Sequence, residues 1–405
     1  MKINNTHFLT YCTNIHPGEH WHEVFDSLKQ YTLPIKQRLS PNEPFGIGLR
    51  LSDIASKELF TAGRLTEFKD WLACTDMYVF SLNGFPYGGF HRQAIKELVH
   101  RPDWTTKARL DYTLRLFNIL EELLPEGMDG GISTSPLSYK FWHSNSPQQM
   151  THVYQQSCRQ LVEVAFYLDE IYQRSGKLLH LDIEPEPDGM LENRAEVLAF
   201  YENHLIPIGN QYAQAHFIKK NEAIEDILKR HIQICYDVCH FAVEYEEPAE
   251  VIRQWEAANI RIGKIQISAA IGVELPRGAA ERKAIKKAFL PFNESTYLHQ
   301  VVAQKQNGDL VKYRDLSDAL ADINKPELKR WRTHFHVPIF MKNFGLLDST
   351  QDEILKVLDL LKQKQITNHL EVETYTWEVL PEGLRQDLTE SISRELEWVV
   401  ERLGE

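Results

Sequence analysis

Five short runs of alternating polar and apolar residues carry the side chains best suited to chemistry. In 179–184, His180, Asp182 and Glu184 alternate with Leu179, Leu181 and Ile183. In 232–237, Gln233, Cys235 and Asp237 alternate with Ile232, Ile234 and Tyr236. Lys264, Gln266 and Ser268 alternate with Ile265 and Ile267, and His334 and His336 flank Phe335. His369, Glu371 and Glu373 alternate with Leu370 and Val372. A period of two is that of a β-strand, so each polar set shares one face. A carboxylate on an inward face is costly unless it is paired or holds a cation. Glu184, Asp237, His336 and Glu373 together form a hard-to-borderline ligand set suited to Mn, Mg or Zn. His240 and His334 complete that shell or hold a second ion. Glu184 and Glu373 are expected to act as proton-transferring base and acid. His16, Arg50, Asn83 and Gln266 are the expected substrate-binding groups. The alternative is a set of ion pairs in which Arg50, Lys264 and Lys342 neutralise the carboxylates.

The alternating runs are separated by helix-like stretches, clearest at 105–124 and 148–174. That order predicts βα units and a parallel sheet, closed as a (β/α)8 barrel. Strands are expected near 7–14, 45–52, 78–83, 131–135, 178–184, 232–237, 261–268, 333–339 and 369–374. Nine is one too many for the barrel, so one belongs to an insertion. Between 268 and 333, the runs 297–303 and 310–313 flank Gln306-Asn307-Gly308-Asp309, a hairpin signal. A β-hairpin near 290–315 is therefore expected over the mouth. No linker rich in Gly, Ser or Pro divides the chain, so one domain over 1–405 is expected. Barrel sites lie at the C-terminal ends of strands, where Glu184, Asp237 and Glu373 stand. Asn14, His16 and Glu19 follow the first strand and are expected in the pocket.

The 405 residues are 43% hydrophobic, ample for a large core, with a net charge of −12. An acidic surface repels phosphate backbones, which argues against nucleic acid; the partner expected is a small-molecule metabolite. Five scattered cysteines give no disulfide framework and suit a reducing compartment. No run approaches the ~20 apolar residues of a membrane span, so the chain reads as cytoplasmic and not integral to a membrane.

Ile234-Cys-Tyr-Asp-Val-Cys-His240 resembles the Asp-x-Cys-His element of xylose-isomerase-like barrels, the superfamily of endonuclease IV and the ketose 3-epimerases. Leu181-Asp-Ile-Glu-Pro185 and Leu370-Glu-Val-Glu-Thr374 resemble the strands that end in its metal-binding glutamates. His334-Phe335-His336 stands where endonuclease IV carries Asp-x-His. Two departures matter. Gln266 replaces a histidine near the end of strand seven, and Asn83-Gly-Phe-Pro-Tyr87 replaces a strand with early histidine ligands. The resemblance thus implies one ion or two rather than three.

Further segments resemble the EboE family of metabolite-traffic proteins in this superfamily. They are Tyr11-Cys-Thr-Asn-Ile-His-Pro-Gly-Glu19, Leu124-Pro-Glu-Gly127, Gly131-Ile-Ser-Thr134 and the run from Leu370 to Trp377. That implies a gene-cluster protein handling a secondary metabolite, with partner proteins from the same cluster. The leading expectation is a divalent-metal-dependent sugar isomerase or epimerase of a small polyhydroxy or carbonyl compound. The alternatives are a metabolite-binding transport accessory without turnover and, less favoured, a phosphoester hydrolase of endonuclease IV type.

Overall fold

The computed structural model describes residues 1–404 except 5, 62, 90, 92–94, 218–222, 378, 385 and 386. Eight strands run parallel: β1 (His7–Tyr11), β2 (Phe45–Arg50), β3 (Met77–Asn83), β4 (Gly130–Thr134), β5 (Leu179–Ile183), β6 (Ile232–Asp237), β7 (Ile262–Ile267) and β8 (His369–Val372). Each of β2 to β7 pairs in parallel with the next, and β8 also pairs with β1. The circle closes between β1 and β2 through a parallel Cys12–Gly48 bridge. There Thr10 Oγ1 donates to Gly46 O at 2.8 Å and accepts from Gly48 N at 3.0 Å. The fold is a (β/α)8 barrel. Its eight strands match eight of the nine expected segments.

Helices cover the outside because their apolar residues recur every three or four positions. The helix Lys107–Leu123 buries Tyr112, Leu116, Leu120 and Leu123. The long helix Pro147–Ser175 starts at Ser146, whose side chain accepts from Gln149 N. It stops at Gly176, whose φ of 74° suits a residue without Cβ.

Inside the barrel, the lower polar layers are paired. Lys264 Nζ lies 2.8 Å from Glu371 and 3.0 Å from Ser133 Oγ. His180 Nδ1 lies 2.7 Å from Asp182. Room for that pair comes from glycines on two other strands. A Cβ at Gly131 or Gly263 would collide with the Asp182 carboxylate and the His180 ring.

The insertion is larger than the expected hairpin. Six antiparallel strands form a second sheet in the order Leu310–Tyr313, Val301–Lys305, Leu328–Thr333, Ile271–Glu274, Leu347–Ser349 and Asn343–Phe344. The hairpin itself is present, with Gly308 at φ 93° in its turn. Lys312 fastens it to Glu192 at 3.0 Å and Glu244 at 2.7 Å.

The expected strand at 333–339 is corrected. The strand runs over Leu328–Thr333, and the residues after it are irregular. Their backbone N–H groups go to scattered partners: His334 N to Gln300 O at 2.8 Å, and Val337 N to Ala269 O at 3.0 Å.

Gly263→Ala should destabilise the protein by about 1–3 kcal/mol, the usual range for an overpacked interior. Urea unfolding reads this as a lower midpoint. A midpoint equal to the parent's would mean the His180–Asp182 pair can move aside.

Candidate metal centre

The top polar layer differs from those beneath it. Glu184, Asp237 and Glu373 each offer an oxygen within 4.8 Å of the others, and all three are buried. Glu184 and Glu373 stand one residue beyond β5 and β8, and Asp237 is the last residue of β6. Two like charges about 4 Å apart repel by roughly 4 kcal/mol at an effective dielectric near 20. Three together rival the whole stability of an ordinary domain. Lys264, bound to Glu371 a layer below, offsets this only in part. Arg50 pairs with Glu19 at 3.1 Å and Lys342 with Asp352 at 3.0 Å, so neither neutralises the trio.

The protons respond accordingly. Burial, then the charges of neighbouring carboxylates, pushes Glu184 and Glu373 well above the usual carboxylate range. Burial also acts against ionised Asp237. His240 and His336 when protonated, and at any pH a hydrogen bond from Ser268 Oγ and one from His240 N, nonetheless hold it below its usual value. Those two bonds end on Oδ1, at 2.6 Å from Ser268 and 3.1 Å from His240 N.

Three atoms of this layer are buried without a hydrogen-bond partner: Glu184 Oε2, Asp237 Oδ2 and His336 Nε2. Buried polar atoms are normally satisfied, so three orphans among potential ligands fit a missing cation. His336 Nδ1 faces the backbone oxygen of Glu373 at 2.7 Å. Its proton therefore sits on Nδ1, and Nε2 presents a lone pair, the form a metal-binding imidazole takes. Burial pulls His336 down to about 4, so the ring is neutral near pH 7. The donor set fits a divalent ion.

A second group adjoins the first. His240 Nε2 and His334 Nε2 lie 3.1 Å apart. His240 Nδ1 faces Pro185 O at 3.0 Å, and His334 Nδ1 faces Gln300 Oε1 at 2.9 Å. Gln300 is itself oriented by donating to Pro187 O at 3.1 Å. Each Nδ1 must then carry its ring's proton, so two Nε2 lone pairs confront each other. Burial pulls both imidazoles down, so a shared proton is a poor remedy. Glu186 offers an oxygen within 4.8 Å of both, which makes this set suitable for a second cation.

Surrounding groups hold the layer in place. Asn14 Nδ2 and Asn83 Nδ2 donate to Glu373 Oε1 at 2.7 and 3.2 Å. Buried Glu395, pushed up to about 8 by burial, accepts from Thr374 Oγ1 at 2.8 Å and Ile339 N at 3.2 Å. It thus ties together the segments that carry Glu373 and His336.

Above the layer lies a cleft of about 620 Å³, lined in part by Asn14, Asn83, Glu184, His240, His334 and Glu373. Asp237 and His336 lie beneath it. Three expected substrate contacts lie elsewhere. His16 is bonded to Tyr11 OH at 2.9 Å, stacks on Tyr31 and lines a separate small pocket with Arg50. Arg50 donates to Gly18 O at 2.8 Å and to Gly88 O, so its guanidinium secures loops. Gln266 lies under the layer, where its Oε1 accepts from Cys235 Sγ at 2.6 Å.

Several lining residues escaped the sequence reading. Glu186 and His100 approach within 3.1 Å of each other in the cleft wall. Glu186 keeps the spacing of two from Glu184, but Pro185 interrupts the run. His100 ends a short 3-10 helix, Lys96–His100, whose single turn gives no periodic signal. Cys239, within 4.8 Å of His334 and His336, was passed over as part of the Asp-x-Cys-His run.

Fold and ligand set together define a (β/α)8 barrel with a candidate divalent-metal centre at its C-terminal mouth. No protein-family model and no curated protein matches the chain. Among solved structures, apo 3-keto-D-glucoside 4-epimerase from E. coli is 12% identical, covering 97% of this chain and 98% of its own at a TM-score of 0.44. A xylose isomerase domain protein from Planctomyces limnophilus is 12% identical over 92% of this chain and 91% of its own, at 0.46. The IOLI protein with a bound zinc atom is 12% identical over 98% of both chains, at 0.47. Similarities at this level identify neither activity nor ligand.

The carboxylates set a pH test. Glu184 and Glu373 have folded-state values above the ~4.3 of an unfolded glutamate. As pH rises the unfolded chain ionises first. Stability from keeping them protonated is complete below about pH 4.3 and is lost as pH climbs toward the folded value. Glu184→Gln removes its share of that loss. In chelator, thermal melts should show the variant gaining on the parent from pH 5 to pH 8. A difference constant across that window would contradict the buried, repelling trio.

Proposed function

We propose that the chain is a divalent-metal-dependent isomerase or epimerase of xylose-isomerase-like type, acting on a small polyhydroxy carbonyl compound. The observation that carries this reading is the buried Glu184–Asp237–Glu373 trio, with orphaned ligand atoms, on the floor of a cleft. A bound divalent ion supplies charge that holds vicinal oxygens and polarises a carbonyl. Asp237 and His336 are first-choice ligands because each keeps an orphaned atom while a hydrogen bond fixes the other. His240, His334 and Glu186 would hold a second ion. Glu184 and Glu373 come from strands separated by two others and both reach the cleft. They are suited to take a proton from carbon on one side of a substrate and return one on the other. Asn83 and Asn14 orient Glu373 for that task.

The run from Tyr11 to Glu19 and the others like metabolite-traffic proteins support a secondary metabolite or its precursor as the compound, with gene-cluster proteins as partners in the cytoplasm. Among the described residues, no helix is long and apolar enough to cross a membrane. Four glutamates in the cleft lining, Glu97, Glu184, Glu186 and Glu373, disfavour a phosphodiester substrate.

The test is hydrogen–deuterium exchange followed by proton NMR. Protein loaded with Mn²⁺ or Zn²⁺ is incubated in D2O with a panel of ketoses and keto-glycosides. The expected result is metal-dependent deuterium uptake at the carbon beside the carbonyl. Glu184→Gln and Glu373→Gln should each lower it by about 10²-fold or more, as removal of a general acid or base does. Metal uptake and ligand binding without exchange would replace the enzyme with a carrier.

A further inference from the structure

The cleft has two chemically different ends. Its floor is the polar set of Glu184, Glu373 and His240. One stretch of its wall is apolar: Phe85 and Val99 come from the segment after β3, and Tyr297 and Leu298 come from the insertion. The two segments are fastened to each other. Ile95 N and Lys96 N both donate to Thr296 O, at 2.9 and 3.2 Å. Lys96 Nζ bonds Asp315 at 2.6 Å. The wall is thus a joint product of a barrel loop and the insertion, held in register by three bonds.

Val99 and Leu298 are only partly buried, so each keeps apolar surface toward the cleft. Of the polar groups that also line it, Lys96 is committed to Asp315, Gln300 to His334 and Pro187, and His100 and Glu186 face each other at 3.1 Å, while Glu97 is half-buried. The Val99 and Leu298 side chains themselves offer a hydroxyl no hydrogen bond in exchange for the water it gives up, which is unfavourable. An apolar group there gains roughly 25 cal/mol for each Å² it buries.

We propose that the ligand is a polyol or hydroxy-ketone bearing an apolar substituent, of the aryl or alkyl glycoside class, rather than a free sugar. Its oxygen-rich end meets the carboxylate floor, and its substituent lies against Val99 and Leu298. This rests on the reading above that the floor holds an ion and the oxygen-bearing end.

Calorimetry on the full chain, loaded with Mn²⁺ and separately with Zn²⁺, compares phenyl with methyl β-glycosides of glucose, galactose and xylose. Metal content is measured on the same samples. For at least one sugar the phenyl glycoside should bind at least tenfold more tightly than the methyl one. Leu298→Ser and Val99→Ser should cut that ratio to threefold or less with metal content unchanged. Equal affinities for every pair, no binding of either glycoside by metal-loaded protein, or a ratio untouched by both substitutions would overturn the proposal. Protein that takes up neither metal would overturn the underlying reading and the proposal with it. Metal uptake without a phenyl preference would overturn the proposal alone.

Discussion

Like charges confined in a low-dielectric barrel constrain everything else in this structure. Each inward layer carries acids, and each must be neutralised. One layer down, Lys264 answers Glu371, and lower still His180 answers Asp182. Each solution needs space: glycines at 131 and 263 make room for Asp182 and His180, and Gly48 does so for Glu371. At the top layer no lysine or arginine among the described residues pairs with Glu184, Asp237 or Glu373, and Lys264 a layer below offsets the repulsion only in part. Glu184 and Glu373 are driven toward the protonated state, and Asp237 keeps its charge through hydrogen bonds from Ser268 and the His240 backbone. A natural sequence that neutralises its lower layers and leaves the upper one open has reserved a place for a ligand. Metal binding there must displace protons, which couples affinity to pH.

The loops and the insertion convert this charged floor into a selective cleft. Residues after β3 and residues leading into the second sheet meet through Thr296 and Asp315. Irregular backbone beyond Thr333 then brings His334 and His336 to the floor beside His240. The His240–His334 confrontation is held from behind by Pro185, Gln300 and Pro187, so it cannot relax by a simple change of tautomer. Such outer partners fix which ring nitrogen faces the ligand position.

Much of this was legible because strand parity has a period of two and tolerates no slip. The barrel strands and the inward placement of Glu184, Asp237 and Glu373 followed directly from alternation. Alternation misled where polar and apolar residues alternate without a strand. His334-Phe335-His336 reads as strand, yet the strand ends at Thr333. The stretch Leu328–Thr333 reads poorly because part of it is exposed, with Lys329 in solvent and Arg330 half-buried. The six-stranded sheet could not be foreseen, since its short strands come from four separated stretches of chain. His16 was placed by its position after the first strand and Arg50 by its parity opposite Ile47, Leu49 and Leu51, but His16 packs on Tyr11 and Tyr31 and Arg50 secures the loops at Gly18 and Gly88. Glu186 lies on irregular backbone and His100 in a single 3-10 turn, where no periodicity reports direction.

The central claim is that the top layer is completed by a divalent ion. Its most direct measurement is calorimetric titration of Zn²⁺ or Mn²⁺ into chelator-treated, dialysed protein near pH 6. Two buffers of different ionisation enthalpy report proton release. The account predicts at least one ion bound per chain with net release of protons, and loss of both in the Glu184→Gln, Glu373→Gln double variant. No binding, or binding without proton release that the double variant leaves unchanged, would contradict it.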